Sequence, residues 1–106
     1  MINVAIDERT QALLNDPLLG ERDVDAKIRQ LIESEYLHQS ARYRRVDLAL
    51  TQKYGMGFDA FVAQRVVKER GYSWDAEQDA MDWETAIGGM QTLERKLREL
   101  RNANID

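Results

Sequence analysis

The chain has 106 residues, 43% of them hydrophobic, with 15 Lys and Arg against 19 Asp and Glu, one histidine, one proline and no cysteine. A single domain over 1–106 is expected, and a disulfide scaffold, a thiolate metal site, a cysteine nucleophile and a two-histidine zinc site within one chain are excluded. A net charge of −4 opposes a general affinity for nucleic-acid backbone. No apolar run approaches the roughly 18 residues of a membrane span, and the MINVAIDERT start lacks the basic and apolar stretches of a signal peptide, so the expectation is a cytoplasmic chain with no membrane contact.

In chain order, Asp7 to about Asn15 reads as a short helix capped by Asp7, and Asp16-Pro17 as the cap and first position of another turn. Residues 1–20 are thus expected as a short helix or a loosely attached N-terminal arm. Gly20 breaks the chain and Asp23 is placed to cap the next helix, because its carboxylate can accept a free first-turn N–H. From Val24 to Tyr54 there is neither Gly nor Pro. Val24, Ile28, Leu31, Ile32, Tyr36, Tyr43, Val46, Ala49, Leu50 and Tyr54 fall on one arc at 100° per residue, which predicts one helix of about 30 residues, stopped by Gly55-Met56-Gly57.

Phe58, Phe61, Val62 and Val66 then repeat at helical spacing, so Asp59 to Arg70 reads as a single short amphipathic helix with Gly71 as its left-handed terminus. Ser73 caps the last helix, which should run from 74 to about 101. In it Trp83, Met90 and Leu97 stand seven apart, with Ala86, Leu93 and Leu100 as the companion series, a seam suited to left-handed packing against another helix. Gly88-Gly89 costs that helix about 1 kcal/mol per glycine, which implies either a kink or a close approach to the backbone by a helix or a large aromatic.

The fold class is therefore all-α, an elongated antiparallel hairpin of two long helices with one or two short ones. A 31-residue helix is about 46 Å long, whereas a compact globule of 106 residues is roughly 34 Å across. Two such rods bury less surface than a compact chain would, and a second copy is the simplest remedy. Leu37, Ala41 and Leu48 form a narrow apolar strip opposite the main arc and are the expected homodimer interface; the competing reading is that the first short helix, with Leu13 and Leu14, covers them.

Three constellations bear on chemistry. Glu35 and His38 have the Glu-x-x-His spacing of di-iron and di-manganese bundles, but one motif completes a site only across a symmetric dimer with further carboxylates such as Glu94; the plainer reading pairs Glu35 with Gln39 or Arg42 and leaves His38 at the rim, so no metal or cofactor is expected. Arg42, Arg44 and Arg45 lie on different faces of a helix that also carries Glu33, Glu35 and Asp47, which reads as a solvated helix and not a nucleic-acid surface. Asp75, Asp79 and Asp82 share one face of the last helix, Glu77 and Glu84 another, with Trp74 and Trp83 among them. Like charges at that spacing cost stability, so the stretch is either a surface for a basic protein, with Trp74, Asp75, Asp79 and Asp82 as partner-binding residues, or a solvated rim beside Arg65, Lys68 and Arg70 with both tryptophans inside. One histidine and no glycine-rich phosphate loop leave no base–nucleophile pair, so no catalytic residue is assigned and an enzyme is not expected.

Lys53-Tyr54-Gly55-Met56-Gly57-Phe58-Asp59-Ala60-Phe61 and Tyr72-Ser73-Trp74-Asp75-Ala76-Glu77-Gln78-Asp79-Ala80-Met81-Asp82-Trp83-Glu84 resemble a family of small prokaryotic all-helical proteins. Its members share a KYGM-x-F-x-x-F turn and a Y-S-[FW]-[ED]-x-E-x-D-x-x-[DE]-W-E segment, over about residues 36–101 here. Some are encoded beside a small toxin-like protein, so the resemblance implies an antitoxin-like role with a small basic toxin as partner. The expected function is a non-enzymatic protein-interaction module; the alternative is a carboxylate-bridged metal enzyme formed by a homodimer.

Overall fold

The computed structural model describes residues 5–20 and 23–102. Helix α1 spans Glu8–Leu14, a 3-10 turn spans Pro17–Leu19, and α2 spans Val24–Tyr54; α3 (Phe58–Ala63), α4 (Val66–Glu69) and α5 (Trp74–Asn102) come next, with no strand among the described residues. The caps are those the side chains dictate. Asp7 accepts from the Arg9 amide at 2.8 Å, Asp16 from Leu18 at 2.9 Å, Asp23 from Ala26 at 2.7 Å and Ser73 from Ala76 at 3.2 Å. Gly55 and Gly71 take the left-handed conformation that closes a helix without steric penalty.

The chain divides into two compact units, residues 1–34 and 35–106. In the first, Leu14 is buried, and the buried Lys27 donates its ammonium to the Leu14 carbonyl, satisfying one of the acceptors that α1 leaves open at its end. Leu13, Val24, Leu31 and Ile32 stay exposed.

In the second unit α2 and α5 run antiparallel. Lys53 meets Asp75 and Asp79, Asp47 meets Trp83, and Tyr43 lies against Gly89, so later residues of α5 face earlier ones of α2. The α5 seam packs as its heptads require: Trp83, Ala86, Leu93 and Leu97 are buried, and Met90 and Leu100 half-buried. The core closes at the hairpin end around Leu50, Phe61, Val66 and Trp83, with Val46, Tyr54, Phe58 and Ile87 against it. Trp83 is fully buried and ringed by Phe61 at 5.0 Å, Phe58 at 5.5 Å and Tyr54 at 6.0 Å between centroids. Its indole N–H, which burial would otherwise strand, donates to Asp47 at 2.8 Å.

Two expectations are corrected. The helix over Asp59 to Arg70 is broken in two, because Arg65 adopts φ 52°, ψ 45° between α3 and α4. A continuous helix would set Phe61, Val62 and Val66 on one face; the break instead buries Phe61 and Val66 and leaves Val62 in water. The arc on α2 is also not buried throughout. Leu50 is buried and Ile28, Tyr36, Tyr43, Val46 and Tyr54 half-buried, but Ala49 is exposed, as are Val24, Leu31 and Ile32. The Gly88-Gly89 alternative is resolved at Gly89: α5 runs unbroken, and a Cβ at Gly89 would stand 2.7 Å from Cδ2 and Cζ of Tyr43 and closer still to Cε2, while one at Gly88 would meet nothing. The aromatic ring of α2 uses the missing side chain as its seat.

Candidate functional site

The two motif-bearing stretches meet at the hairpin end. Lys53 and Tyr54 occupy the last turn of α2, and Asp75 and Asp79 the first turns of α5, one turn apart so that both carboxylates reach the same ammonium. Lys53 Nζ donates to Asp75 at 2.8 Å and to Asp79 at 2.6 Å, and the Tyr54 hydroxyl donates to Asp79 at 2.6 Å. Arg70 lies over the Tyr54 ring, its guanidinium carbon 4.9 Å from the centroid.

These contacts set the protonation states. Burial alone would raise the Asp79 carboxyl, but donors from Lys53 and Tyr54 and the charges of Lys53 and Arg70 outweigh it and hold it below the usual range. The hydrogen bonds from Lys53 to Asp75 and Asp79 push its ammonium above its ordinary value. Burial, then the bond to Asp79, pushes the Tyr54 phenol up. Two donors converge on one oxygen of an ionised Asp79, and the arrangement is a charge-assisted clamp between two helices.

The residues expected to bind a partner therefore divide. Trp74 is 79% exposed, and Met81, two turns further along α5 on the same side, is also in water. Asp82 is exposed and accepts from Gln78 at 3.0 Å. Asp75 keeps 72% of its side chain in water while pairing with Lys53, whereas Asp79, at 15%, is turned inward. The clamp was not visible in the sequence because Lys53 and Asp79 are 26 positions apart and meet only once the hairpin register is set. Of the cations expected beside the acids, Arg70 acts on Asp79 by its charge, while Lys53, which the expectation did not include, pairs directly with Asp75 and Asp79; Trp83 alone of the two tryptophans is core.

Glu35 accepts from Gln39 at 3.0 Å, and both Glu35 and His38 face solvent. Among the described residues no three His, Asp or Glu side chains converge as metal ligands would. On the back of α2, Leu37, Ala41 and Leu48 are all exposed, Leu48 to 59%. A different feature escaped the sequence altogether: an open groove of about 440 Å³ lies over Phe61 and Val66, with Val62, Val67, Tyr72 and Ala80 as its apolar walls and Arg65 and Lys68 at its edge. Its walls and its basic edge come together only once the chain breaks at Arg65.

No helix among the described residues is long and apolar enough to cross a membrane. No family model matches the chain, and no curated protein or solved structure does.

Proposed function

We propose that the chain is a non-enzymatic protein-interaction module, dimeric through Leu37, Ala41 and Leu48, that presents the start of α5 to a basic protein partner, in the manner of an antitoxin facing a small toxin. The observation that carries this reading is Trp74, left 79% in water at the head of a helix whose other tryptophan is fully buried. Tryptophan is the residue most often found at the energetic centre of an interface, and covering most of its roughly 200 Å² is worth on the order of 3–5 kcal/mol at 25 cal/mol per Å². Glu77, Asp82 and Glu84 keep exposed carboxylates on the first three turns of α5, giving the surface its sign. The likeness of the two stretches to the helical family lends the toxin-facing role its support.

The test is co-expression with the product of the adjacent reading frame. Trp74→Ala combined with Asp82→Lys should abolish co-purification while leaving the helical circular dichroism unchanged, because neither side chain belongs to the clamp; unchanged co-purification would refute the assignment. The metal-enzyme alternative requires Glu35, His38 and carboxylates such as Glu94 from two copies. A stoichiometric transition metal in elemental analysis of the purified protein would favour it over the binding module.

A further inference from the structure

The groove between α3–α4 and α5 joins apolar walls to a basic edge. In a chain of net charge −4, no carboxylate lines it, and its two charged members are both cations. Arg65 and Lys68 are exposed and form no ion pair with any described residue. Val62 and Tyr72 stand more than half in water on its walls, beside Val67 and Ala80.

Backbone conformation singles out the same place. Among the described residues only two non-glycine positions have positive φ, Arg65 at 52° and Tyr72 at 54°, and both line this groove. Glycine would take either conformation at lower cost, so a large cationic and a large aromatic side chain are held there against the local preference. Strain of this kind, held in place by the surrounding packing, clusters at sites that clamp ligands. An open depression also suits a polypeptide better than a small molecule, which would need enclosure to bury most of its surface.

We propose that this groove binds an acidic amphipathic segment of another protein, its apolar side chains seated between Val62, Val67, Tyr72 and Ala80 and its carboxylates paired with Arg65 and Lys68. Trp74 is not among the residues that line this groove, and its surface is of opposite sign. Neither proposal depends on the other.

The test uses the full chain and two synthetic helical peptides with the same leucine stripe, one flanked by glutamate and one by lysine, with binding read by amide chemical-shift mapping and fluorescence anisotropy. The glutamate peptide should bind with shifts centred on residues 62–72 and 80, and the lysine peptide at least tenfold more weakly. Arg65→Gly, which keeps the left-handed backbone without strain, together with Lys68→Glu, should weaken the glutamate peptide at least tenfold, whereas Trp74→Ala should leave it unchanged. Equal binding of both peptides, shifts confined elsewhere, or a groove filled by a second copy, seen as self-association lost in the Arg65→Gly, Lys68→Glu variant, would each overturn the assignment.

Discussion

The adjacent glycines of α5 have opposite reasons for being there. Gly88 faces open space, so alanine there should raise stability by about 1 kcal/mol through helix propensity alone. Gly89 lies under the Tyr43 ring, so alanine there must displace an aromatic ring packed between the helices, at a cost of about 1–3 kcal/mol that exceeds the propensity gain. Urea denaturation of the two variants should therefore give midpoints on opposite sides of the parent chain. In the double variant Tyr43→Ala, Gly89→Ala the combined loss should fall short of the sum of the two single losses, since removing the ring removes the clash.

At the scale of elements, the hairpin end is held by the Lys53, Tyr54 and Asp79 clamp beside the Trp83 cluster. Asp79→Ala leaves a half-buried phenol and an ammonium with fewer acceptors and should cost about 1–3 kcal/mol, while Asp82→Ala on the outer face should stay within about 0.5 kcal/mol of the parent. The pH dependence has the same contacts as its cause. Asp79 is held below its ordinary 3.8, so its contribution is present above that value and is lost as acid protonates it. Lys53 and Tyr54 are held above their ordinary 10.5 and 10.0, so their contributions are present below those values and are lost at higher pH. Thermal melts should show a plateau between about pH 5 and about pH 9 falling on both sides, with the acid fall reduced in Asp79→Ala.

Much of this was legible along the chain. Asp7, Asp23 and Ser73 announce helix starts by their own hydrogen-bonding capacity, Gly55 and Gly71 announce ends, and the Trp83–Leu97 seam repeats seven residues apart. What was hidden depends on three-dimensional closure. The break at Arg65 has no glycine to mark it, since tertiary burial of Val66 overrides the local helical pattern. The clamp joins residues more than twenty positions apart, so acids that look like an unneutralised face are partly spoken for.

At the scale of the whole molecule, the proposed contact role rests on apolar surface left in water. Leu37 and Leu48 on α2, Trp74 and Met81 on α5, and Val62 and Tyr72 at the groove are exposed together in a chain of 106 residues. Scattered single leucines need no explanation, but a strip at i, i+4 and i+11 and a tryptophan at a helix start are placed as contact surfaces are. On the proposed contact role, the chain should not be found alone. Sedimentation equilibrium of the full chain at micromolar concentration tests this most directly. Twice the single-chain mass is expected, reverting to the single-chain mass in Leu48→Glu with helicity retained; a folded parent chain that sediments as one copy at every concentration would refute the dimer through Leu37, Ala41 and Leu48.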